Sequence, residues 1–179
     1  METGTIRKIA FGAQDSAKPT LPAAGGNVTW ASPWVYTLGG QPGASDTGYL
    51  DEDTVAMKER EESLDIDPPL AQNRLDEIIF KNGLDTVSFA AYTVDAAILA
   101  LDSTAVNTSG TVEKGTTITY RAMCIEVTGR GIVYCPKVRV KVNAPAEGGV
   151  KKLAKATFEC KVFGTTSIPS GFQYDKFDT

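Results

Sequence analysis

Histidine is missing from this 179-residue sequence. Its absence excludes Ser-His-Asp and Cys-His catalysis, His-ligated zinc and haem-His chemistry, because imidazole is the usual neutral-pH base and the commonest metal ligand. Cysteine is scarce. Cys124, Cys135 and Cys160 are odd in number, too widely spaced for a CxxC site and too few for a disulfide scaffold, so free thiols in a reducing compartment are expected. No apolar run reaches the roughly 18 residues of a membrane helix, and residues 1–10 have no apolar h-region, so neither a membrane span nor a Sec signal is expected. Catalytic patterns are equally thin. Glu59, Glu61, Glu62, Asp65 and Asp67 offer many carboxylates but single out no glycosidase-like pair. The acidic runs at 51–53 and 65–67 lack the Gly and the distal Glu of an EF-hand loop, and Gly25-Gly26 and Gly129-Arg130-Gly131 fit no phosphate loop. No enzyme, cofactor or metal is expected.

What is present is an ordinary folding composition, 42% hydrophobic and 22% charged, which fits one domain over residues 1–179. Glycine and proline cluster in segments expected to be extended or loop-rich, at 12–27, 37–50 and 164–179. The net charge of −4 hides an uneven distribution. Residues 1–50 are neutral, residues 51–102 carry four basic and thirteen acidic groups, and residues 103–179 carry eleven basic and six acidic. An acidic middle therefore precedes a basic last third, which implies either two solvated faces of one domain or complementary surfaces on separate copies.

Most of the chain has strand character. Residues 5–11 and 28–38 suit strands, the second interrupted at Pro33, and 116–128, 132–142 and 150–163 alternate and are rich in Val, Ile, Thr, Tyr and Phe. Asn82-Gly83 between apolar runs predicts a hairpin of residues 74–81 with 84–91. Residues 93–101 form the one good helix, with Thr93 as N-cap and Asp95 in the first turn. Residues 53–66 favour a helix by intrinsic propensity, although their apolar positions fit neither period.

A two-residue turn at Gly129-Arg130 predicts a register. Val127 would face Ile132, Ile125 would face Tyr134 and Met123 would face Pro136, making an apolar face. On the other face Glu126 would meet Val133, Cys124 would meet Cys135, Ala122 would meet Lys137, Tyr120 would meet Arg139 and Ile118 would meet Lys141. That half-apolar, half-basic face, with Tyr120, Lys137, Arg139 and Lys141, is the candidate subunit interface, though snorkelling Lys and Arg stems over a solvated sheet look the same. The i, i+2 spacing of the three cations also fits phosphate contacts, but no aromatics interleave with them and the chain as a whole is acidic.

The order of elements resembles the tail tube, or major tail, proteins of long-tailed bacteriophages. The acidic segment 51–67, the strand pair at 74–91, the helix at 94–101, the hairpin at 120–142 and the closing strand at 158–163 carry the likeness, which spans residues 50–165. It implies a mainly β fold, a β-sandwich or partly open barrel with one short flanking α-helix and a long hairpin. It also implies that residues 53–66 are an extended strand against their helical propensity. The implied function is a structural subunit, without cofactor, whose hexameric rings stack into a tube around a tape-measure protein and meet tail-end proteins. Its place would be the virion tail, after assembly in the host cytoplasm. DNA would pass transiently through the lumen. Carboxylates there repel phosphates and let the polymer slide, so Glu59, Glu61 and Asp65 are assigned to the lumen face. The alternative is a soluble β-sandwich binding module, for virion decoration or carbohydrate, with Trp30, Trp34, Tyr36 and Tyr49 as its stacking platform.

Overall fold

A computed structural model describes residues 6–23, 26–34, 36–39, 46–60, 83–92, 101–102, 104–106, 112–114, 118–143 and 155–177. Within them the chain forms strands β1 (Ile6–Ala13), β2 (Tyr36–Gly39), β3 (Gly48–Glu59), β4 (Leu84–Tyr92), β5 (Thr104–Val106), β6 (Val112–Lys114), β7 (Arg121–Val127), β8 (Gly131–Asn143), β9 (Lys155–Val162) and β10 (Gln173–Lys176). Seven of them make a circuit, β8-β7-β1-β2-β3-β4-β9, which the β8–β9 ladder closes into a barrel. Every pairing in the circuit is antiparallel except β2 with β3. Strand β10 extends β8 on the outside of the circuit, and β5 and β6 pair only with each other.

The fold is thus mainly β, as expected, but the barrel is closed rather than a sandwich or a partly open barrel. The reason lies in the thirteen residues of β8. Its first half gives one edge to β10, from Tyr134 to Gly131, and its second half gives that edge to β9, from Val138 to Asn143. Closure removes the free edges that an open sheet would present.

Period-2 alternation supplies the interior. Ile9, Phe11, Leu38, Leu50, Val87, Phe89, Met123, Ile125, Val140, Phe158 and Cys160 come from all seven strands and form one buried cluster. Phe89 and Phe158 stack at 4.9 Å, with Phe11 beside them at 6.3 Å from Phe89. Burying each such ring contributes about 1.5–3 kcal/mol.

Several expectations change. Residues 53–59 belong to β3, so their helical propensity yields to pairing with β4; residues 61–66 lie outside the described residues. The ladder breaks between Asp51 and Ala56, and there the Thr54 hydroxyl accepts the Ala90 N–H at 2.8 Å. A tertiary hydrogen bond thereby replaces a missing backbone partner. Of the expected hairpin, residues 84–91 are strand while 74–82 lie outside the described residues, and β4 is flanked instead by β3 and β9. The expected helix 93–101 also lies outside them, except Leu101, which is buried against the barrel core. The segments 12–27, 37–50 and 164–179, expected to be extended or loop-rich, include residues of β1, of β2 and β3, and of β10. Pairing partners distant in sequence convert these Gly- and Pro-flanked pieces into ladder positions.

The β7–β8 register also differs. Val127 faces Gly131, Glu126 faces Ile132, Ile125 faces Val133, Cys124 faces Tyr134 and Met123 faces Cys135. The turn is Val127 to Arg130, closed by the Arg130 N–H to the Val127 carbonyl at 3.1 Å, with Gly129 at φ +66° in its third position. Only glycine holds that backbone cheaply. The loop is one residue longer than expected, so each residue of β8 near the turn changes its partner and its face.

Candidate assembly surface

The character of β8 changes at Pro136. Between the Met123–Cys135 and Arg121–Val138 pairs, Pro136 and Lys137 together oppose the single residue Ala122. This bulge suits a proline, which has no N–H to give to a ladder. It also inverts the alternation: Val133 and Cys135 point into the barrel before it, and Val138, Val140 and Val142 point in after it. Arg139 and Lys141 are consequently exposed on the outer surface. The Arg121–Val138 pair restores the expected register, so the sequence-derived placement is right on the far side of the bulge and wrong on the near side.

The four expected interface residues lie along this stretch. Lys137 Nζ stands 4.4 Å over the Tyr120 ring, which meets Phe163 edge-on at 5.5 Å. Arg139 sits opposite Lys161, and Lys141 opposite Glu159. Like charges directly opposed across a ladder are unfavourable, and Lys161 turns to Asp85 on β4 at 3.2 Å. No ion-pair partner falls within reach of Arg139 or Lys141 among the described residues.

Strands β3, β4, β9 and β8 make one wall of the barrel, and its outer face has a floor of small side chains. Thr54, Ser88, Ala90 and Thr157 line one shallow depression, and Ala56, Thr86, Ser88 and Glu159 line the next. Lys155 Nζ bonds Asp51 at 2.6 Å at the rim, joined by the Tyr92 hydroxyl at 3.1 Å. The hydrogen bond from Lys155 holds the Asp51 carboxyl below its ordinary range, and the same bond raises the Lys155 ammonium. Asp85 is lowered by the Thr86 hydroxyl and then by Lys161.

The acidic assignments divide. Glu59 is the half-buried last residue of β3, opposite Leu84, whereas Glu61 and Asp65 lie outside the described residues. Glu52 and Asp53, weighed in the sequence only as part of an acidic run and given no lumen or interface role, occupy the break in β3; Asp53 is exposed and Glu52 partly so. Their only signal was the run Asp51-Glu52-Asp53.

The other wall is covered by its own chain. Ala10, Ala122, Cys124, Ile132 and Tyr134 face outward under Val28, Trp34 and Phe177, making a second buried cluster. Glu126 lies beneath this cover with 0% exposure. It accepts hydrogen bonds from Arg7 Nη1 at 2.7 Å, the Val28 N–H at 2.9 Å and Trp30 Nε1 at 3.0 Å. Three donors satisfy a carboxylate that burial alone would penalise heavily. A lone acid in an otherwise apolar strand was the available clue. Trp34 meets Trp30 and Tyr134 edge-on and donates to the Ala17 carbonyl at 3.0 Å. Tyr36 instead packs on the interior cluster and Tyr49 is exposed on β3, so the four aromatics share no common face.

Cys124, Cys135 and Cys160 are free and buried, and burial pushes all three thiols up. Cys124 faces Tyr134 and Cys135 faces Met123, so the expected Cys124–Cys135 opposition does not occur. No cluster of three or more metal-ligating side chains forms among the described residues. Neither a protein-family model nor a curated protein sequence matches this chain.

Proposed function

We propose that this chain is a structural subunit of a bacteriophage tail tube, forming hexameric rings that stack around a tape-measure protein and end on tail-end proteins. One observation carries the reading: one side of the barrel is covered by its own chain, while the outer face of the β3-β4-β9-β8 wall is, among the described residues, lined largely by small side chains and edged with charge. A shallow face of small side chains with a charged rim gives a second copy room to pack against it. The extended conformation of residues 53–59 adds support, since the likeness to tail tube proteins requires it and propensity opposes it.

In the assembled tube the acidic segment from Glu59 through Glu61 to Asp65 faces the lumen, where carboxylates keep DNA from adhering as it moves to the host cell. The protein is non-enzymatic, carries no cofactor, is assembled in the host cytoplasm and resides in the virion tail. The scattered placement of Trp30, Trp34, Tyr36 and Tyr49 gives a carbohydrate-binding or decoration module no stacking platform. Negative-stain microscopy of the purified protein over a wide concentration range tests the proposal. Rings or tubes with a central channel are expected, and a protein that stays monomeric throughout overturns it.

A further inference from the structure

We propose that residues 17–34 form a strap that lifts off the barrel as one piece, uncovering the outer face of β1, β7 and β8 while every rung of the barrel stays paired. This concerns a single copy and holds whether or not copies assemble.

Three observations carry it. First, the strap is fastened without a ladder. None of its described residues belongs to a strand or shares a backbone–backbone hydrogen bond with one. Its ties to the barrel run through side chains: Glu126 accepts the Val28 N–H and Trp30 Nε1, Lys18 meets Asp175 at 2.6 Å, and Val28 and Trp34 lie on the outer cluster.

Second, its two feet stand together. Strand β1 ends at Ala13 and β2 begins at Tyr36, and the two strands are neighbours that pair Phe11 with Tyr36. A Cβ placed on Gly12 would come within 2.9 Å of the Ser16 hydroxyl oxygen and 3.2 Å of the Pro33 carbonyl oxygen, so the chain leaves and returns at one point. The turn out of β1 is held separately, by the Asp15 N–H on the Pro136 carbonyl at 3.0 Å and the Tyr134 hydroxyl on the Ser16 carbonyl at 2.8 Å. An excursion closed at its base, in the manner of an Ω-loop, opens without moving either strand.

Third, the strap and the barrel each keep their own contacts when they part. Trp34 Nε1 donates to the Ala17 carbonyl at 3.0 Å and its ring meets that of Trp30 at 6.1 Å, which ties the strap to itself. The interior cluster shares no residue with the outer one, so it stays whole. Glu126 keeps its ion pair with Arg7 of β1, so opening strands no lone charge.

The three free thiols report the opening. Cys124 belongs to the outer cluster, and Cys135 and Cys160 to the interior one. Treatment of the native protein with N-ethylmaleimide, followed by peptide mass spectrometry, should modify Cys124 about tenfold faster than the other two, or more. In hydrogen exchange the Val28 amide should exchange ahead of the ladder amides of β1 and β7. Trp30→Phe removes the indole donor to Glu126 and should speed Cys124 a further tenfold or about that. Phe89→Leu loosens the interior of the open and closed forms alike, so it should speed Cys135 and Cys160 about tenfold and leave Cys124 unchanged. A parent in which Cys124 reacts no faster than Cys135 and Cys160 exposes its outer face only by unfolding throughout, and overturns the proposal. A Phe89→Leu variant that speeds all three thiols equally does the same. The parent comparison decides alone if a variant fails to fold.

Discussion

The two halves of β8 have the same backbone and opposite surroundings. From Gly131 to Pro136 every residue is buried, with the barrel interior on one face and the Trp34 layer on the other. From Lys137 to Asn143 the strand alternates between buried valines and exposed Arg139 and Lys141. The first half is covered by its own chain; the second has an outer face that no described residue covers. The contrast teaches where the molecule spends its apolar surface on stability and where it leaves a surface for something else. It also explains why a basic strip is confined to one half. Charge on both faces of the first half would be enclosed, and an enclosed charge needs a complete set of partners such as those around Glu126.

The hardest way to break the contrast is to insert one alanine after Val138. The added residue shifts the pleat by one, turning Val140 and Val142 outward and Arg139 and Lys141 into the core. Burying two unpaired cations costs several kcal/mol each, enough to consume most of a stability of about 5–15 kcal/mol. Circular dichroism and size-exclusion chromatography should find no folded protein. Next in size is Trp34→Ala, which empties the roof over the first half and is expected to cost about 3–5 kcal/mol in urea unfolding. Its counterpart on the bare half, Arg139→Ala/Lys141→Ala, should stay within about 0.5 kcal/mol of the parent in the same assay. A loss comparable to that of Trp34→Ala would mean that the strip belongs to the fold.

The smallest effect concerns the rim of the bare wall. Asp51 has a lowered folded pKa, so its ion pair with Lys155 stabilises above the ordinary value of 3.8 and is lost as pH falls through the lower folded value. Lys155 has a raised folded pKa, so the same pair is fully present below 10.5 and is lost as pH rises through the higher folded value. Lys155→Met should therefore be slightly less stable than the parent near pH 7 and indistinguishable from it below the folded Asp51 pKa. Thermal melts across pH 2–8 check this, and a gap that persists at the acid end assigns the loss to the packing of the Lys155 stem.

Much of the strand content was legible because alternation is local. Ala156, Phe158, Cys160 and Val162 face inward, and Thr157, Glu159 and Lys161 outward, as their spacing requires. The outward placement of Lys137, Arg139 and Lys141 on one face was legible for the same reason. Other features depended on distant parts of the chain. The helical preference of residues 53–59 is a weak local term, and pairing with β4 outweighs it. The three-residue turn at 128–130 and the bulge at Pro136 shift the register in compensating ways, and neither leaves a local mark strong enough to show both. Glu126 looked like one more residue of an amphipathic face because its donors, Arg7, Val28 and Trp30, come from about a hundred residues away.

Composition and order alone excluded histidine chemistry, set the strands alternating and divided the charge between an acidic middle and a basic end. Those properties depend on residue type and near neighbours, which a sequence displays directly. Tertiary structure decided that the sheet closes, that one side is roofed, and that Arg139 and Lys141 come to the outer surface past the bulge at Pro136. Each of these depends on which strands pair across long loops, and that choice is made by burial summed over the whole chain rather than by any segment of it.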